Sequence, residues 1–126
     1  MNRRVLAAVD DLLFASKIRG TAEQLNVTVE FAKKAETLFD LAKAETPDLI
    51  ILDLNSEKLD PLGLAKDIKA DEQLRGVPLV GFLSHVQTDL MRLAQDAGVD
   101  QVMPRSAFTK FLPAILAGAG GVSGKQ

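Results

Sequence analysis

Leu49-Ile50-Ile51-Leu52 runs four aliphatic residues together without a break and stops at Asp53. A strand that alternates apolar and polar side chains has one wet face, whereas an ungapped run is dry on both. Val5-Leu6-Ala7-Ala8-Val9 has the same character and stops at Asp10-Asp11. Strands of this kind need a sheet covered on both sides, and connections long enough to cover it.

The rest of the chain supplies those connections. Phe14, Ile18, Ala22 and Leu25 recur at helical spacing, with Asn26 as a helix stop. Val27 to Phe31 alternates as a strand does. Ala35, Leu38, Phe39 and Ala42 form one stripe of an amphipathic helix, which Thr46-Pro47 closes. After the Leu49–Leu52 strand, Leu64, Ala65 and Ile68 mark a helix over Leu62 to Lys69. Val77 to Leu83 is a further strand, with Pro78 near its start, where a missing N–H does least harm. Leu90, Leu93, Ala94 and Ala97 mark the next helix, and Gly98 is its left-handed stop. Val99 to Met103 is a short strand. Phe108, Phe111, Leu112, Ile115 and Leu116 mark a last helix, with a weak spot at Pro113. Five strands alternating with five helices predict a single doubly wound α/β domain over residues 1–117, with a parallel sheet. The economical strand order is the flavodoxin-like 2-1-3-4-5. Residues 118–126 hold four Gly and read as a flexible tail.

Composition narrows the function. Fifteen basic and 17 acidic side chains leave a net charge of −2, so there is no electrostatic footprint for nucleic acid or an anionic membrane. The chain has no Cys, which removes disulfides, thiolate metal sites and a thiol nucleophile, and is compatible with a cytoplasmic protein. With no Trp or Tyr and only six Phe, a base-stacking platform is not expected. The basic start Met1-Asn2-Arg3-Arg4 precedes an apolar run too short for a signal-peptide core, and no run is long enough to span a membrane.

In an open parallel sheet, ligands bind outside the carboxyl ends of the strands. Those ends carry Asp10 and Asp11, Asp53, Ser84 and Arg105 in turn. With the first and third strands adjacent, three carboxylates converge, an arrangement that calls for a cation. All the donors are oxygen, so the cation is hard, with Mg²⁺ favoured and weakly held.

Val9-Asp10-Asp11, Leu49-Ile50-Ile51-Leu52-Asp53-Leu54-Asn55 and the Ala97-Gly98-Val99-Asp100 turn together resemble the receiver domains of two-component response regulators. The resemblance covers residues 3 to about 117. It implies that Asp53 is the phospho-acceptor and Asp11 a direct Mg²⁺ ligand. It further implies that Asp10 acts mostly through water and that the backbone carbonyl of Asn55 completes the site. Ser84 stands for the hydroxyl that bonds the phosphoryl group, and Arg105 for the switch lysine. The implied partners are a sensor histidine kinase or phosphotransfer protein, and a downstream protein met through the helix 4–strand 5–helix 5 face.

The departures shape the expected mechanism. Arg105-Ser106 stands where receivers usually carry Lys-Pro, so a trans peptide is expected. Ser84 lies one residue later than the family hydroxyl, Glu57 replaces a Pro, Gly63 falls about two positions late, and Val102 replaces the strand 5 aromatic. These changes predict that activation moves the loops around Ser84 and Arg105 and leaves the strand 5–helix 5 surface nearly unchanged. Two other readings stand beside signal relay. One is a pseudo-receiver, an interaction module that is not phosphorylated. The other is a metal-assisted phosphohydrolase, disfavoured because no second basic group or general base is in view; an enzyme is not expected. His85 reads as a loop residue, the Gly118–Gly121 stretch as no phosphate loop, and the Phe108, Phe111 and Leu112 stripe as core.

Overall fold

A computed structural model describes residues 3–84 and 87–118, so His85 and the tail from residue 119 onward lie outside the described residues. The elements follow in strict alternation: β1 (Arg4–Ala8), α1 (Leu12–Gln24), β2 (Thr28–Phe31), α2 (Ala35–Ala44), β3 (Leu49–Asp53), α3 (Pro61–Ala70), β4 (Leu79–Leu83), α4 (Thr88–Asp96), β5 (Gln101–Pro104) and α5 (Arg105–Ala117). All strand pairs are parallel, in the order β2-β1-β3-β4-β5, as the ungapped strands required.

The strands of the sheet's middle split their side chains between two cores. Leu6, Ala8, Ile50, Leu52, Leu79 and Leu83 face one way and pack with Leu38 and Ala42 of α2, Leu64, Ala65 and Ile68 of α3, and Ala94 of α4. Val5, Ala7, Leu49, Ile51, Val80 and Phe82 face the other way, against Phe14, Ile18 and Ala22 of α1 and Phe108, Leu112, Ile115 and Leu116 of α5. Every residue of β3 and β4 is buried, whereas the edge strand β2 alternates exposed and half-buried. Successive strand residues point to opposite faces, so a strand between two helical layers must be apolar at every position.

The helix stops act through backbone geometry. Asn26, just past the C-terminus of α1, has φ 57°, and Gly98, after α4, has φ 107°. A Cβ at Gly98 would also stand 2.5 Å from the side chain of Lys69, so this stop needs glycine twice over. The weak spot at Pro113 does not end α5, which continues to Ala117. Pro113 lies on the exposed side of that helix. The carbonyl its missing N–H leaves unpaired can meet water there.

Most boundaries shift by one residue from the sequence reading; the larger differences are a start of β4 at Leu79 rather than Val77 and the placing of β5. Val99 donates its N–H to the Ala94 carbonyl and so helps end α4, which delays the strand to Gln101. At the other end no loop intervenes: Pro104 is both the last residue of β5 and the N-cap of α5, so Arg105 opens the helix. The register sets Ala8 beside Leu52, Asp53 beside Phe82 and Leu83 beside Pro104. The carboxyl ends of β1, β3, β4 and β5 therefore form one continuous edge.

Candidate functional site

Asp53 ends the central strand and is only 4% exposed. Its Oδ1 accepts the Asn55 N–H at 3.1 Å and its Oδ2 the Asp10 N–H at 3.4 Å. Burial pushes this carboxyl above the ordinary range. The two backbone N–H groups and the positive charge of Arg105 pull it back, the negative charge of Asp10 raises it again, and the net direction is upward. The carboxylate is held in place by the main chain while its charge is only partly offset.

Asp10, exposed at the end of β1, turns its carboxylate to the β3–α3 loop, where Oδ2 accepts the Ser56 hydroxyl at 3.1 Å. Ser56 is buried, and its Oγ in turn accepts the Leu59 N–H at 3.2 Å. The hydroxyl thus ties two strand ends together and fixes the start of the loop. Asn55 ties the next pair: its Oδ1 accepts the Ser84 N–H at 2.6 Å, and its Nδ2 donates to Gln87 Oε1 at 2.9 Å. Neither Ser56 nor Gln87 is visible as a site residue in the sequence. The one signal for Ser56 is a hydroxyl three residues before the apolar Leu59, the spacing of a side-chain-to-backbone turn.

Asp11 is committed elsewhere. Its Oδ1 accepts the Phe14 N–H at 3.0 Å and caps α1. Its Oδ2 pairs with Nη1 of Arg105 at 3.3 Å, and both side chains are 34% exposed. The Arg105 guanidinium lies over the Phe14 ring at 4.9 Å and near that of Phe82 at 5.8 Å. Beneath it, Phe14, Phe82 and Phe108 form an aromatic cluster with centroids 4.6, 4.8 and 5.6 Å apart, which makes the Phe108 end of the stripe core. Arg105 Nε is buried without a hydrogen-bond partner.

The strand ends therefore form two adjoining groups. Asp10, Asp53, Asn55 and Ser56 share one hydrogen-bonded cluster. Asp11, Ser84 and Arg105 line a neighbouring cleft of about 500 Å³, with Lys17, Ser106 and Thr109. Among the described residues no three His, Cys, Asp or Glu side chains converge closely enough to hold a metal ion. The expected convergence of three carboxylates is not met: Asp10 bears electrostatically on Asp53, whereas the Asp11 carboxylate is engaged by the Phe14 N–H and Arg105. No peptide bond among the described residues is cis, including Arg105–Ser106. Val102, in β5, is half-buried against the core under α2, α3 and α4.

No family model matches the sequence, and no curated protein does. Solved structures do match in shape. The phosphorylated cyanobacterial phytochrome response regulator RcpA is 22% identical, with a TM-score of 0.78 over 94% of this chain and 91% of that one. The chemotaxis response regulator CheY4 of Vibrio cholerae is 17% identical, with a TM-score of 0.81 over 93% and 98%. The Mn²⁺-bound form of the response regulator Rcp1 is 16% identical, with a TM-score of 0.76 over 90% and 91%. Strand order, the alternation of elements and these likenesses agree, and the chain has the fold of a response-regulator receiver domain.

Proposed function

We propose that this chain is a signal-relay receiver that accepts a phosphoryl group on Asp53 from a histidine kinase or phosphotransfer protein. The observation that carries this reading is Asp53 itself: a carboxylate at the carboxyl end of the central strand, fixed by two backbone N–H groups and backed by no cation in direct contact among the described residues. In the reaction, a carboxylate oxygen of Asp53 bonds to phosphorus while the bond from phosphorus to the donor's leaving atom breaks, which gives an acyl phosphate. The Asn55 and Asp10 N–H groups hold the carboxylate so that little reorientation is needed. Ser84 and Arg105 line the neighbouring cleft; in this reading they take the new phosphoryl oxygens, for which Arg offers a planar fork.

A hard divalent cation, Mg²⁺ in this reading, belongs with Asp10, Asp53 and the Asn55 carbonyl, with Asp11 joining if its carboxylate leaves Arg105. When bound, it supplies positive charge to the phosphoryl oxygens. Output is a protein contact through α4, β5 and α5, where Leu93 and Phe111 are exposed. Catalysis of a metabolic reaction forms no part of this reading. Neither does crossing a membrane: no helix among the described residues is long and apolar enough.

Acetyl phosphate with Mg²⁺, read by intact mass, tests the proposal. The expected result is one added phosphoryl group that disappears in Asp53→Asn. An unmodified wild type, under conditions that label an ordinary receiver, would leave the interaction module as the better account. The Arg105 pairing of Asp11 is the observation that favours that second reading.

A further inference from the structure

Asp53 and Ser56 are the buried residues with polar side chains among the described residues. A buried hydroxyl costs free energy unless it is hydrogen-bonded, and Ser56 both donates and accepts. Its Oγ accepts the N–H of Leu59, itself 1% exposed, which leaves the hydroxyl proton for Oδ2 of Asp10. The Ser56 N–H also donates to the Asp53 carbonyl at 3.2 Å and so closes the turn over residues 53–56. Asn55, whose N–H holds Oδ1 of Asp53, lies inside that turn. Asp10, whose N–H holds Oδ2, is the residue whose carboxylate the hydroxyl takes. Both backbone donors to the Asp53 carboxylate therefore meet at Ser56, one through the main chain and one through the side chain. The bonds run from Asp53 to Ser56, on to Asp10 and back to Asp53, and the link from Ser56 to Asp10 is charge-assisted.

We infer that Ser56 is a positioning residue for phosphoryl transfer: its hydroxyl, acting through Asp10, fixes the carboxylate of Asp53 for attack. This rests on the proposal that Asp53 accepts a phosphoryl group, and it invokes no metal ion. The Leu59 N–H sets the hydroxyl from a residue of the core, so the rigidity of the core reaches the nucleophile through the loop. Without the hydroxyl, the Asp10 carboxylate loses its tie to the loop, and the N–H on the same residue is held less firmly. Asp53 then keeps one firm donor instead of two. Attack on phosphorus needs an orientation that a looser carboxylate samples only part of the time.

Amide hydrogen exchange in wild type, Ser56→Ala and Ser56→Thr, unphosphorylated and without added metal, tests the geometry. From the size of one hydrogen bond, the Asp10 and Asn55 amides of Ser56→Ala should exchange about three- to tenfold faster, with Leu6 and Ile51 unchanged. Ser56→Thr keeps the hydroxyl and should stay near wild type. Faster exchange at Leu59 alone would make Ser56 a loop fastener and overturn the inference. Equal acceleration at Ile51 would show general loosening and overturn it too. The rate of acyl phosphate formation from acetyl phosphate and Mg²⁺ tests the consequence. Ser56→Ala should be slower by about the same three- to tenfold, and Ser56→Thr should recover most of the loss. Modification of Ser56→Ala at the wild-type rate or faster, or a Thr variant as slow as Ala, would overturn the positioning role alone. A wild type that is not modified at all would overturn the acceptor role of Asp53 and the role of Ser56 with it.

Discussion

At the amino edge of the sheet, the Arg4 guanidinium meets Glu30 at 2.9 Å and Glu45 at 3.6 Å, while the Arg4 backbone N–H donates to Asp48 Oδ2 at 2.9 Å. On the same edge, Asp100 pairs with Lys69 at 3.1 Å and accepts the N–H of the buried Leu79 at 2.8 Å. At the carboxyl edge, Asp53 is more deeply buried than any of these groups, yet it is held by two N–H groups, with no ion-pair partner among the described residues. Charges on the first edge are matched and act as fasteners. On the second, one carboxylate is positioned without being neutralised, which is costly for the fold and useful for chemistry.

The two edges should respond oppositely to loss of charge. Asp100→Ala leaves the Leu79 N–H without its side-chain acceptor and takes the carboxylate from Lys69, which keeps only the Arg75 and Val77 carbonyls, and should destabilise by about 1–3 kcal/mol in urea unfolding. Asp100→Asn keeps an acceptor and should lose less. Equal losses from both variants would mean that the charge, not the hydrogen bond, does the fastening.

A smaller effect separates the edges by pH. The Asp53 carboxyl is raised in the folded protein, so between its ordinary and its folded value the native state holds the proton that the unfolded chain has lost. The stability contributed by the protonated form is therefore complete below the ordinary carboxylate range and fades as pH rises through the folded value. Urea midpoints of wild type minus those of Asp53→Asn, without metal, should fall over that window and then level off. A difference that rises with pH would mean that hydrogen bonding and Arg105 outweigh burial.

Much of this architecture is legible in the chain, for a physical reason. A strand covered on both faces has no polar position to spend, so Val5–Val9 and Leu49–Leu52 announce both their conformation and their central place. Asn26 and Gly98 are legible because few residues tolerate a positive φ. Asp53 is legible as the residue that follows such a strand. The partner of Asp11 is not. Its pairing with Arg105 depends on α1 and α5 packing side by side on one face of the sheet and on the rings of Phe14 and Phe82, none of which leaves a periodic signal. Ser56 and Gln87 are missed for a related reason, since a loop hydroxyl or amide acquires its meaning only from the strand end folded against it.

The claim that the carboxyl edge is the reactive one is tested most directly by amide chemical shifts, recorded with and without beryllofluoride and Mg²⁺. The account predicts shifts at Asp10, Asp11, Asn55, Ser56, Ser84 and Arg105, with Arg4, Asp48 and Asp100 unmoved. Silence at Asn55 and Ser56, or changes centred on the amino edge, would contradict it.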